Sequence, residues 1–309
     1  MTDTQNEVFK TPVNKIRLFE HGAPGSQNLK LTRKYYTEDM PDGRVKHIVQ
    51  NITDPDIVPY IPDGIGNSTD RQRIPAVLII PGGAFRRLVY NFEGEDVAKW
   101  LNSMGIAAFV LECRLPSDEH DNAEDVPLID AMRAMRVIRG RAQEFGIDEA
   151  KIGVMGFSAG GFMAALLSTA YESDVYADYK YKDEYDKLSA RPDFAVCSYP
   201  VISIDDCIEA GKRYMSEEQV LERISDGKAK ILHKYNPDKL VRPDMPPVFI
   251  CETDDDRTTL SENSVGFYMA ARKAGVSAEL HIFRTGGHGY GCGDDFAQTG
   301  EGEVLFTKW

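Results

Sequence analysis

The sequence predicts an α/β fold with a mostly parallel central sheet, helices on both faces and a small cap or insert region. Three observations predict it. Short, nearly continuous apolar runs such as Ala76–Ile80 and Pro247–Cys251 alternate with longer amphipathic stretches. That is the pattern of strands buried on both faces by crossover helices. A Gly156-Phe157-Ser158-Ala159-Gly160 stretch stands where one such run gives way to helix-forming residues. With 309 residues, 42% of them hydrophobic and 28% charged, the chain can bury one large core, so residues 1–309 are expected to form a single domain.

The elements follow in order. Residues 1–43 are polar and broken by Pro12, Gly22, Pro24, Gly25 and Pro41, which predicts an irregular lead-in. Arg44–Ile52 is expected as an early strand. Residues 53–74, carrying Pro55, Pro59, Pro62, Gly64 and Gly66, are expected as loop. Ala76–Ile80 is a buried strand ending at Pro81-Gly82-Gly83. Val97, Trp100 and Leu101 give Glu93–Met104 a helical period that Gly105 closes, with Trp100 on the apolar side. Ile106–Leu111 is the next strand. Val126–Phe145 is a long amphipathic helix, apolar along Leu128, Met132, Met135, Val137 and Ile138, and Gly146 ends it. Lys151–Met155 leads into the glycine-flanked serine, and Gly161–Leu167 continues as helix. Asp193–Cys197 and Pro247–Cys251 are strands, Glu262–Lys273 a helix and Glu279–Phe283 the last strand.

Two stretches interrupt this rhythm. Residues 171–190 mix five tyrosines with many charges, and residues 203–244 are helical in character but too polar for the core. Both follow strands, on the edge where open α/β sheets place ligands, and are expected as cap or rim elements over the site. The second reads equally well as solvated surface helices.

Composition excludes some functions. The net charge is 36 − 49 = −13, which argues against nucleic acid or an anionic membrane as the partner. No stretch approaches the ~18–20 apolar residues of a membrane span. The opening Met1–Glu7 lacks the basic and apolar regions of a secretory signal, so a cytoplasmic location is expected. The five cysteines (Cys113, Cys197, Cys207, Cys251, Cys292) are scattered without a C-x-x-C pair. They are read as reduced, mostly buried thiols, not as disulfides or metal ligands. A homo-oligomer is compatible with all of this.

The chemistry starts at Ser158. G-x-S-x-G between a strand and a helix is the setting of a nucleophile elbow, whose tight turn leaves no room for a Cβ on either side. A serine hydroxyl needs a base to activate it and an acid to orient the base. Of six histidines, His21, His47 and His120 precede the serine, His233 falls in the second insert and His281 inside the last strand. His288, in Gly286-Gly287-His288-Gly289-Tyr290-Gly291 just after that strand, is the expected base. The acid is expected among Asp254-Asp255-Asp256, after the penultimate strand, and spacing alone does not separate the three. Backbone donors for a tetrahedral oxyanion are expected from Ala159 and from the loop Pro81-Gly82-Gly83-Ala84-Phe85.

With these pieces in place the chain resembles the α/β-hydrolase superfamily, and within it a bacterial carbohydrate-esterase-like group of acetyl xylan and feruloyl esterases. The resemblance covers most of residues 74–292. It rests on Pro81–Phe85, Glu93–Asn102, Ala108–Leu111 with Arg114-Leu115, Pro127–Ala134, Ile152–Gly161, Glu262-Asn263-Ser264 and Gly286–Gly291. It implies Asp256 as the acid, with Asp255 second, and Gly83 and Ala84 as oxyanion donors beside Ala159. The chain departs from the group at Ala84, where a third glycine is usual, at Phe162 for histidine, at Cys113 for tyrosine and at Thr259-Leu260 for Val-Pro. The resemblance implies hydrolysis of short-chain, chiefly acetyl, esters through an acyl-enzyme without metal or cofactor. The substrate it implies is a small-molecule ester such as an acetylated oligosaccharide. An arylformamidase-like amide hydrolase or peptidase on the same triad is the rival activity. A silent fold used for binding is a further one, although this chain keeps both serine and histidine.

Overall fold

The computed structural model describes residues 9, 13–41, 43–64, 73–213, 216, 218–219 and 228–291. Its strands are β1 (Ile16–Arg17), β2 (Lys34–Asp39), β3 (Val45–Gln50), β4 (Asp56–Tyr60), β5 (Ile74–Ile80), β6 (Leu88–Val89), β7 (Ala107–Glu112), β8 (Ile147–Phe157), β9 (Ala195–Ser198), β10 (Val248–Thr253) and β11 (Ala278–Phe283). Its α-helices are α1 (Asp96–Ser103), α2 (Val126–Gly140), α3 (Ala142–Phe145), α4 (Ala159–Ala170), α5 (Ile204–Lys212), α6 (Lys228–Lys234) and α7 (Ser261–Lys273).

The main sheet runs β1-β4-β7-β5-β8-β9-β10-β11. From β7 to β11 every pair is parallel, whereas β1–β4 and β4–β7 are antiparallel. The central strands are buried on both faces, as Ala107–Glu112 and Val248–Thr253 show along their whole length. Burial of each Val, Leu, Ile or Phe side chain contributes about 1.5–3 kcal/mol, so these apolar runs set the middle of the sheet. The strand edges at Ile80, Phe157, Ser198 and Thr253 all open on one rim, because the parallel registers Ile80↔Gly156, Phe157↔Ser198 and Cys251↔Ser198 keep them level.

A second sheet, β2-β3-β6, is antiparallel throughout. This corrects the expected irregular lead-in. Lys34–Asp39 is polar because β2 forms the half-exposed arm of a hairpin with β3. The loop expected over 53–74 contains β4. Pro59 is tolerated there because β1 reaches only Ile57 and Asp56, leaving the outer side of β4 unpaired at the proline. The long helix expected over 126–145 ends at Gly140 and restarts as α3 after Arg141 leaves helical geometry. A Cβ at Gly140 would come within 2.3 Å of the Tyr185 ring. Trp100 is half-buried against the core; Trp309, Cys292 and much of 214–227 lie outside the described residues.

Residues 171–190 do not form a cap. They dock on α2: Arg133 holds Asp183 and Asp186, Arg136 donates to the Tyr176 hydroxyl, and Tyr179 packs edge-on against Phe19. Tyr171, Tyr176, Tyr179 and Tyr185 are therefore packing groups, whereas Tyr181 is exposed. Among the described residues no helix is long and apolar enough to cross a membrane.

Candidate active site

The turn between β8 and α4 is sterically closed. Ser158 sits at φ 53°, ψ −117°, a strained conformation for a residue with a side chain. A Cβ at Gly156 would lie 2.0 Å from the Gly160 carbonyl oxygen, and one at Gly160 would lie 2.0 Å from that of Ile80. Both neighbours are backbone and cannot yield. Gly156→Ala is therefore expected to destabilise the protein by about 3 kcal/mol or more, lowering the thermal midpoint by about 4 °C or more in calorimetry. A midpoint unchanged from wild type would contradict this account of the turn.

Ser158 Oγ lies 2.9 Å from His288 Nε2, and His288 Nδ1 lies 2.6 Å from Asp256 Oδ2. The imidazole is presented by a loop in which Gly287 and Gly289 take left-handed conformations, and the Thr253 hydroxyl donates to the Gly287 carbonyl. Of the three adjacent aspartates, Asp254 is exposed, and Asp255 accepts the Gly287 N–H at 2.8 Å. Asp256 alone meets the imidazole. Its other acceptor sites take the Thr258 and Thr259 amides at 2.7 and 3.0 Å and the Thr259 hydroxyl at 2.9 Å. Desolvation pushes the Asp256 pKa up, but the His288 hydrogen bond and charge together with these amides outweigh it and hold the carboxyl below its ordinary value. An ionised Asp256 keeps the proton on Nδ1 and turns the Nε2 lone pair toward the serine hydroxyl.

The glycine loop faces the same hydroxyl. The Gly82 amide is already used, donating to Glu93 Oε2 at 2.8 Å. Gly83 and Ala84 line the cleft with Ser158, and both are left-handed, at φ 136° and 58°. Ala159 is the first residue of α4, where helix geometry leaves the N–H without an internal acceptor. The Cβ of Ala84 is accommodated, because the residue is exposed. Together these groups can polarise a carbonyl beside the hydroxyl and carry a proton away from it.

The cleft encloses about 620 Å³, and its lining comes from β3 and its preceding turn, the glycine loop, Phe92, Asp255, Thr258 and the 285–290 loop. No residue of 171–190 contributes to that lining, and none of the described residues of 203–244 does.

Three residues lay beyond sequence reasoning. Glu93, fully buried, binds the Gly82 amide with one oxygen and the Tyr199 hydroxyl at 2.9 Å with the other. Tyr199 also accepts the Gly291 amide at 2.9 Å and stacks edge-on against the His288 ring at 5.1 Å. Burial, the largest influence, raises the Glu93 pKa. In the sequence Glu93 stands only as the first residue of the expected helix and of a stretch shared with the family, with no sign of its two partners. Thr259, noted as a departure, turns out to be a donor to Asp256.

Glu252 is the third. It is wholly buried beside Asp256, accepting the Thr253 amide at 3.0 Å and the Ser264 hydroxyl at 3.3 Å. Burial, with the Asp256 charge second, pushes its pKa up to about 9 from an ordinary 4.5. Between those values the folded chain keeps a proton that the unfolded chain has released, so stability falls as pH rises across the window. Glu252→Gln has no proton to lose. Its thermal midpoint is expected to decline less than that of wild type between about pH 5 and about pH 9; parallel curves would show that Glu252 does not titrate in this window.

Comparison with known proteins adds three findings. The BD-FAE family model matches residues 65–270. The chain is 31% identical over 223 residues to an acetylxylan esterase of Xylanibacter ruminicola, covering 72% of this chain and 42% of that protein. It is also 31% identical over 227 residues to endo-1,4-beta-xylanase B of Butyrivibrio fibrisolvens, covering 73% of this chain and 34% of that one. The chain thus spans less than half the length of these curated relatives. Among solved structures, the acetyl ester-xyloside bifunctional hydrolase from Caldicellulosiruptor lactoaceticus superposes with a TM-score of 0.70 at 34% identity, covering 96% of this chain and 95% of that one.

Proposed function

This chain belongs to the BD-FAE family and has the α/β-hydrolase fold; on that premise we propose that it is a serine carboxylesterase removing short acyl groups, chiefly acetyl, from carbohydrate esters such as acetylated xylo-oligosaccharides. The observation that carries the reading is the hydrogen-bonded chain Ser158–His288–Asp256 beneath the Gly83-Ala84 loop.

In the proposed reaction His288 Nε2 takes the Ser158 proton as Oγ attacks the ester carbonyl. The carbonyl oxygen gains charge and is met by the amides of Gly83, Ala84 and Ala159, each typically worth about 10²–10³ in rate. Collapse expels the alcohol, which takes the proton from His288, and leaves an acyl group on Ser158. Water, deprotonated by the same imidazole, then attacks, and the acid departs as Oγ recovers its proton. Asp256 stays ionised and stabilises the imidazolium at both stages. Every group in the scheme comes from one chain.

The acetyl and sugar components draw on the acetylxylan esterase and the acetyl ester-xyloside hydrolase among the relatives. A reducing, cytoplasmic setting is part of the same reading, supported by Cys113, Cys197 and Cys251 as free buried thiols. Acid release measured across acetylated xylo-oligosaccharides, triacetin and longer acyl esters tests the substrate. Acetyl esters are expected to be the best substrates, and a preference for octanoyl esters would overturn the acyl assignment.

A further inference from the structure

We propose that the cleft takes esters bearing a second, ionised carboxylate, and that Lys46 is the residue that reads it. This rests on the esterase reading and adds the charge of the substrate.

The cleft lining holds three basic residues although the chain carries a net charge of −13. Arg44, Lys46 and Arg87 all line the cleft. Arg44 and Lys46 are two residues apart, and the period of two in an extended chain turns both toward the same side. The Arg44 guanidinium lies over the Phe92 ring at 5.3 Å. Lys46 is the cross-strand partner of Glu38, the carboxylate that would ordinarily neutralise it. Glu38 is instead engaged by Arg87 Nη1 at 2.5 Å. Lys46 is half-buried, yet among the described residues its ammonium makes no hydrogen bond and no ion pair.

The other acids of the cleft do not replace Glu38. Glu93 is spent on the Gly82 amide and the Tyr199 hydroxyl. Asp255 is held by the Gly287 amide. A half-buried ammonium with no hydrogen bond or ion pair among the described residues, whose charge reaches the buried Glu93 carboxyl, stands in a cleft of about 620 Å³ that an acetyl group cannot fill and is a site for an anion presented by the substrate. A carboxylate would give it a charge-assisted hydrogen bond, worth about tenfold or more in affinity. The carboxylate could belong to the alcohol half, as in a uronate-bearing oligosaccharide, or to the acyl half, as in a half-ester of a dicarboxylic acid.

Calorimetric titration of Ser158→Ala, which binds without turnover, separates these cases. The probes are a xylo-oligosaccharide with a glucuronate branch, the neutral oligosaccharide of equal length, and monomethyl succinate beside methyl acetate. At least one acidic probe is expected to bind about tenfold tighter than its neutral match. That ratio is expected to collapse when Lys46→Gln is added, to return with Lys46→Arg, and to shrink with added salt. Preference for the acidic sugar assigns the carboxylate to the alcohol, and preference for the succinate ester assigns it to the acyl group. Equal binding of every pair, failure of both acidic probes to bind, or equal weakening of acidic and neutral probes by Lys46→Gln would overturn the proposal. Failure of the esterase reading shows up separately, as no acetate release by wild type from neutral acetylated xylo-oligosaccharide while the charge preference persists.

Discussion

Ser158→Ala is expected to lower turnover of p-nitrophenyl acetate by about 10⁴-fold or more while leaving the fold and ester binding in place. The size of the effect follows from the scheme: without Oγ no acyl-enzyme forms, and only the oxyanion donors and the bound geometry remain to assist water. Stability should change little. The hydroxyl's hydrogen-bond partner is His288, and the strain at φ 53° is a property of the backbone that alanine inherits. A fluorophosphonate probe should label wild type at Ser158 and leave the variant unlabelled. Turnover within tenfold of wild type would remove Ser158 from the mechanism.

Asp256→Asn is expected to reduce kcat by about 10³–10⁴ near neutral pH, while Asp255→Asn changes it by less than about threefold. The contrast is a matter of which nitrogen keeps its proton. An ionised Asp256 accepts from His288 Nδ1; an asparagine amide can instead donate to that nitrogen and leave the proton on Nε2, where the serine needs a lone pair. Asp255 accepts the Gly287 amide through Oδ1, and the asparagine oxygen can accept the same bond. Steady-state kinetics of the two variants decide the matter. Equal losses, or a larger loss at Asp255, would move the acid by one residue.

Ser158 and His288 were legible because both are marked by backbone demands that only glycine meets, at Gly156 and Gly160 for one and at Gly287 and Gly289 for the other. The parallel strands were legible because burial on both faces removes polar residues from them. Strands β2 and β4 were not, since a half-exposed hairpin arm and a strand with one open side admit charge and proline. The aspartates could not be told apart by spacing because they are neighbours in one turn, and its inward residue is set by the amides of Thr258 and Thr259; the family resemblance supplied that choice. The tyrosines of 171–190 were misread as a rim because their partners are remote, such as Arg133 50 residues before Asp183. Glu93 was missed for the same reason, its two partners standing 11 and 106 residues away.

The hairpin of β2 and β3 lies wholly ahead of residues 65–270, the stretch matched by the family model. It meets the rest of the protein along β6 through Ile48↔Val89 and Val49↔Leu88. The hairpin's side of the doorway is therefore encoded apart from Ser158, Asp256 and His288, and that side is free to be rewritten. Relatives could exchange this hairpin, and with it the guests they admit, without retuning the bond-breaking apparatus behind it.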